Sequence, residues 1–400
     1  ALPLRRLMID GAETRLREVL ASPHLSGLES LDLSFHGLTE SDLQAVLDAP
    51  RLRSLRELGL DFHESLGETR LTGLADWNGL RALRLSGMRL RGGLADLARA
   101  PWLAQLNELT LNLVDFDVED FASLLHAPRL VGLRSLDLSA PVLPLSRRFD
   151  EGRLAGELVS PFIDALAGAE RLASLERLTL KRSGIPPASL RLLLESPHLR
   201  GLRSLNLSGN SRWNNLRTDG TTELVGAAHW TRLAELDLSW NGLQPGELRG
   251  LTESRTLTRL TSLNLAHNLL SDAGARLLAA SPLTSRLTQL NLSGNRIRPI
   301  GCAALADSPY VTQLRSLDLS DNALGPTGAL ALAKSRGLRQ LAVLRLEKTG
   351  LNEQAVQALT HGALLEGLMT LDVGANRALA PSHFAALVDH FGADVCVVPS

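Results

Sequence analysis

Apolar positions recur along the chain in the order L-x-x-L-x-L. The pattern starts at Leu4, Leu28, Leu55, Leu80, Leu106, Leu133, Leu175, Leu202, Leu233, Leu260, Leu287, Leu314, Leu341 and Leu368, with Ile9 or Val373 closing two of them. From Leu233 onward every step is 27 residues; earlier steps are 24 to 27, except 42 after Leu133 and 31 after Leu202. A fixed period of this length marks a stack of similar units, each packing on its neighbours. Alternation within a unit predicts a short strand. In the unit at Leu314, Leu317 and Leu319 point inward, whereas Ser316, Asp318 and Ser320 point outward. Asn322 then turns the chain, its amide suited to buried backbone groups of its own and the neighbouring unit. Gly325-Pro326 opens a run of small and apolar residues that predicts a helix. Helices are expected to stop at Pro23, Pro50, Pro101, Pro128, Pro197, Pro282 and Pro309.

These elements predict an α/β solenoid with parallel strands on one face and helices on the other. Strands stack about 4.8 Å apart, and helices need about 8–10 Å. The stack is therefore expected to curve into a horseshoe, strands on the concave side. Residues 1–400 read as one domain of about fourteen repeats, with insertions near 141–161 and 211–215 and a closing strand near 395–398. The turn Asn is present as Asn210, Asn241, Asn268, Asn295, Asn322 and Asn376; His36, His63, Met88, Val114, Pro141 and Ser183 stand there in earlier units. The N-terminal half is thus expected to be less regular and less stable.

The LxxLxLxxN motif, its 27-residue spacing and the helical second half resemble the ribonuclease-inhibitor-like class of leucine-rich repeats, over roughly residues 4–398. The resemblance implies a scaffold that binds other proteins. Because that class includes GTPase-activating proteins and the sensor regions of immune receptors, it leaves two alternatives open: a regulator of a nucleotide hydrolase, and the sensor region of a larger multidomain protein.

Composition narrows the picture little further. Aromatic residues make up 4% of the chain, so the core must be layers of Leu and Ala. A formal net charge of −1 argues against nucleic acid and anionic membranes as partners. Of the basic residues only Lys181, Lys334 and Lys348 are lysine, a skew that fits a GC-rich, bacterial coding genome. Two distant cysteines, Cys302 and Cys396, and no apolar run of about 20 residues point to a reducing, cytoplasmic setting. The first strand, Leu4, Leu7 and Ile9, has no cap before it; this end is expected to meet a missing N-terminal domain or a second chain.

No nucleotide loop, HExxH, GxSxG or paired CxxC is present, so neither catalysis nor a cofactor nor a metal is expected. His36 and His63 occupy equivalent turns beside Asp32 and Asp61, which reads as turn chemistry rather than a metal site. Outward strand positions are rich in acid (Asp32, Glu57, Glu108, Asp137, Glu235, Asp237, Asp318, Asp372). That is either a steering surface or the soluble consensus of the repeat. Both insertions leave from the strand-to-helix rim. The seventh repeat between them adds further basic residues. Arg147, Arg148, Arg177, Lys181, Arg182, Arg212 and Trp213, with Trp240 on the next turn, therefore form the expected partner-binding ridge.

Overall fold

The computed structural model describes residues 4–9, 16–33, 39–61, 71–90, 92–140, 154–210, 230–362, 365 and 367–397. The chain divides into two compact units, Ala1–Leu202 and Arg203–Ser400, each a stack of strand–helix repeats.

In the first unit the strands are β1 (Arg6–Met8), β2 (Ser30–Leu33), β3 (Glu57–Asp61), β4 (Ala82–Ser86), β5 (Glu108–Asn112), β6 (Ser135–Asp137) and β7 (Arg177–Thr179). Each pairs in parallel with the next, and the middle leucines align in one row: Leu7, Leu31, Leu58, Leu83, Leu109, Leu136 and Leu178. From Leu31 onward these leucines are almost wholly buried, as a period-two strand over a core requires. The helices are α1 (Leu16–Leu20), α2 (Glu40–Leu47), α3 (Gly93–Ala98), α4 (Val118–Leu125), α5 (Leu154–Ala167) and α6 (Pro187–Glu195). Phe116, Phe121 and Phe162 pack with ring centroids 4.9–5.8 Å apart, replacing leucine layers where α4 meets α5.

The second unit is more regular. Its strands are β8 (Ser204–Asn206), β9 (Glu235–Asp237), β10 (Ser262–Asn264), β11 (Gln289–Asn291), β12 (Ser316–Asp318), β13 (Val343–Arg345), β14 (Thr370–Asp372) and β15 (Cys396–Val397). All pair in parallel in chain order. Its described helices are α7 (Pro245–Thr252), α8 (Ser271–Ala279), α9 (Pro299–Ala306), α10 (Gly325–Ala333), α11 (Glu353–Thr360) and α12 (Pro381–Phe391).

The turn asparagines form a buried ladder. The Asn295 amide donates to the carbonyls of Leu265 (2.8 Å) and Leu292 (3.0 Å), and its backbone N–H donates to Oδ1 of Asn322 at 3.0 Å. Asn241, Asn268, Asn322 and Asn376 repeat this two-carbonyl bridge. Thr349 takes the position between Asn322 and Asn376, donating its hydroxyl only to the Leu346 carbonyl of its own unit.

Two local expectations change and one gains detail. Helices α1, α2, α3, α6 and α8 stop two or three residues before Pro23, Pro50, Pro101, Pro197 and Pro282, and each of these prolines then opens a short 3-10 helix. Proline suits a first helical position because its φ is preset and no N–H is needed there. Residues 154–161 of the first insertion are helical, and Pro161 lies inside α5. Ser320 is buried rather than outward, because the strand ends at Asp318 and the chain turns under it.

Candidate partner-binding surface

Outward positions of the second unit's strands line a shallow groove of about 370 Å³ running across β8 to β13. Its floor is mostly amide and hydroxyl, including Asn206, Asn264, Gln289 and Asn291, with Glu235, Asp237, Asp318 and Arg345 as the charged members. The last outward residue of β6, β8–β12 and β14 has a structural duty. Oδ1 of Asp237 accepts the Ser239 N–H at 2.9 Å and its hydroxyl at 2.7 Å. Asp137, Asp318 and Asp372 accept the N–H two residues on, and so do Asn206, Asn264 and Asn291. This turn bond favours Asp or Asn, so much of the acidic row is repeat architecture. What the carboxylate adds over the amide is its second oxygen. In Asp237 that oxygen accepts from the Asn264 amide at 3.1 Å.

Three residues beyond each of these strand ends the backbone turns left-handed. In the second unit the position is held by Gly209, Trp240, His267, Gly294, Asp321, Lys348 and Ala375, all with φ between 52° and 72°. The cause is the ladder itself: the N–H of Trp240 reaches the Ala266 carbonyl, and that of His267 reaches Ser293, one repeat on. This pairing extends the parallel stack past the strand and leaves the side chain outside. Trp240 is 57% exposed, and its ring stacks on His267 with centroids 4.0 Å apart and planes 19° apart. The imidazole in turn lies over Gly294, where any β-carbon would collide with it.

Among the expected ridge residues, Arg177, Lys181 and Arg182 belong to the first unit. Arg177 on β7 is committed to Glu108, Nη2 to Oε1 3.1 Å, and lies 3.4 Å from the Ser135 hydroxyl. Lys181 and Arg182 are exposed in the turn after β7, where Arg182 holds the left-handed position with φ 54°. Arg147, Arg148, Arg212 and Trp213 lie outside the described residues, as do His36 and His63. Cys302 is fully buried in α9, and burial pushes its thiol up to about 12, so it stays protonated at neutral pH. Burial also raises Cys396. Among the described residues no group of three His, Cys, Asp or Glu is placed to hold a metal ion, and no helix is long and apolar enough to cross a membrane.

Trp240 was named from the sequence as a candidate; His267, on which its ring stacks, was not. His267 lies exactly one 27-residue period later, just before Asn268 as Trp240 lies just before Asn241. The shared position before the ladder Asn was the available signal.

A family model described as Leucine Rich repeat matches residues 256–279, 286–306 and 312–333. Each stretch spans one strand and the helix after it, β10 with α8, β11 with α9 and β12 with α10. No curated protein matches this sequence. Among solved structures, an internalin from Listeria monocytogenes is 21% identical, with 92% of this chain and 86% of that one covered and a TM-score of 0.41. A chain of the yeast Rad7–Elc1 complex is 18% identical, with 90% of this chain and 78% of that one covered and a TM-score of 0.52. At such identity the second likeness speaks for the fold alone. The three matched strand–helix repeats, in phase with the leucine rows and the asparagine ladder, show the α/β fold of a leucine-rich-repeat solenoid.

Proposed function

We propose that this chain is a protein-interaction scaffold that holds its partner on the strand face and the adjoining rim. The exposed Trp240–His267 stack beside the polar groove carries the reading. A large ring kept 57% in water at a left-handed position costs stability on both counts. Tryptophan is among the side chains that most often anchor a protein interface. Lys181 and Arg182 are the residues of the first unit suited to the same use.

The three lysines make the test direct. Lys181 and Lys348 sit at rim positions, whereas exposed Lys334 caps α10 on the helix side. An amine-reactive cross-linker applied to the partner complex is expected to join the partner to Lys348, and Trp240→Ala is expected to abolish the product. Cross-links confined to Lys334, or unchanged by the substitution, would contradict the proposal.

A further inference from the structure

We propose that the turns leading into the strands of the second unit form a docking stripe for an acidic helix of a protein partner. Trp240 lies after its strand, so this surface is separate from the one read above. Consecutive repeats enter their strands through the same tight turn, closed by the Leu233 N–H on the Trp230 carbonyl, Leu260 on Leu257 and Leu287 on Thr284. The third residue of the turn is Arg232, Arg259 and Arg286 in succession, 27 residues apart and all exposed. Two residues on, the backbones of these repeats are joined directly: the Thr261 N–H donates to Ala234 and the Thr288 N–H to Thr261, each at 2.8 Å. The turns are therefore stacked in register, and their arginines leave the chain about 4.8 Å apart. Exposed Arg203 and Arg315, bonded to the same backbone row at Ala234 and Thr288, carry the positive charge one repeat further each way.

The first unit neutralises the same segment from within. Glu29 pairs with Arg5 at 3.5 Å and with Arg56 at 3.9 Å, and Glu176 pairs with Arg134 at 3.1 Å. The second unit places no acidic residue in 230–234, 257–261, 284–288 or 311–315. Glu235, at the head of β9, is the nearest acid in sequence. None of the five arginines forms an ion pair with it or with any other described residue. Like charges facing each other across neighbouring strands repel. The row is thus a cost to folding that a partner's carboxylates relieve, each pairing with a guanidinium through its fork of donors.

Spacing selects the form of that partner. Three arginines span two steps, about 9.6 Å. Carboxylates at i, i+4 and i+7 of a helix span about 10.5 Å, whereas three alternate side chains of an extended strand span about 13 Å. A single nucleic-acid strand needs open aromatic rings on which to stack its bases, and Trp230, in the turn of Arg232, is only 2% exposed. A net charge of −1 also gives a polyanion no general attraction.

The test is fluorescence anisotropy of the whole chain with labelled, capped, alanine-based helices. One peptide carries glutamates at i, i+4, i+7 and i+11, on a single face; a second has the same composition with the glutamates spread around the helix. An oligothymidylate of equal charge is the third probe. The single-face helix is expected to bind at low salt and to weaken as salt rises. Replacing Arg232, Arg259 and Arg286 together with Gln is expected to weaken it about tenfold. Arg249→Gln, Arg276→Gln and Arg298→Gln remove the same charge from exposed positions outside these turns and should leave binding nearly unchanged. Urea denaturation of the first triple variant is expected to give a midpoint equal to or above that of the native chain, because a self-repelling row has been removed; a damaged fold would lower it. Equal losses in the two triple variants, equal binding of the two helices, tighter binding of the oligothymidylate, or no binding at low salt overturns the proposal. The scaffold reading at Trp240 is tested at other residues and survives each of these outcomes.

Discussion

A single residue type does two jobs in this repeat, decided by where its amide points. Buried Asn295 joins two consecutive turns, whereas Asn291, at the end of its strand, closes only its own. Replacing Asn295 with Ala removes one of the two amide donors of each of the Leu265 and Leu292 carbonyls and the Oδ1 acceptor of the Leu270 N–H, all in a dry interior, at a cost on the order of 1–3 kcal/mol. Ser183 holds the same turn position in the first unit but donates its hydroxyl to the Leu138 carbonyl at 3.2 Å and, more weakly, to Lys181. Its Ala variant is expected to lose less, about 1 kcal/mol. Matched urea titrations check the pair, and equal losses would show that the ladder is not what holds these turns. The residue just before the ladder Asn obeys a different rule. Its backbone is fixed left-handed by the stack, so its side chain contributes little to the core and is free to vary: Gly, Trp, His, Asp, Lys and Ala all occur there. That freedom is why the Trp240–His267 pair is a candidate for function rather than folding.

At the scale of the element, a second ladder runs on the helix side. Hydroxyls of Ser281, Ser308 and Ser335 donate to the carbonyls of Thr252, Ala279 and Ala306, each the last residue of the preceding unit's helix, at 2.5–2.6 Å. Ser196 does the same for Ala167 at the end of α5. Helix C-termini leave carbonyls without intrahelical partners, and these serines satisfy one from the next repeat. Ser308 also accepts the Tyr310 N–H at 3.1 Å. Ser308→Ala is therefore expected to cost about 1–2 kcal/mol, since a buried acceptor and a donor both lose their partner. Chemical denaturation measures this, and an unchanged midpoint would mean that neighbouring groups take over both bonds. The 27-residue spacing of these serines was on view in the sequence. Their meaning was not, because a serine after a helix reads equally well as a surface residue.

Across the whole molecule the two units differ in how regularly they are tied. The second has asparagines in five of the ladder's consecutive turns from Asn210 to Asn322, and again at Asn376. The first fills the corresponding turns with Met88, Val114 and Ser183, which bury well but bridge fewer backbone groups. Hydrogen exchange is expected to be slower at amides of β9–β14 than at those of β1–β6, because local opening follows the density of buried, bonded contacts. Equal protection in the two sets would show that apolar packing compensates for the missing amides. Length and charge spoke only to class at this scale; neither reveals which outward residues share a groove.

The leucine period by itself determined the repeats, their phase, the parallel register and the burial of each row. Those features follow from spacing along one chain: period two places Leu on one side, and a constant 27-residue step aligns each strand with the next. Only the tertiary structure decided which polar atoms are used up and which remain to meet a partner. Arg177 was read from the sequence only as a basic ridge residue; the structure pairs it with Glu108, 69 positions away. The acidic row looked like a charged trough, yet one oxygen of each of Asp137, Asp237, Asp318 and Asp372 closes a turn. Trp240 was visible as a lone aromatic, but its stack on His267 exists because two repeats lie side by side. The physical reason is the same each time: hydrophobic burial depends on position within the repeat, whereas hydrogen bonds and ring stacking depend on partners supplied by neighbouring repeats.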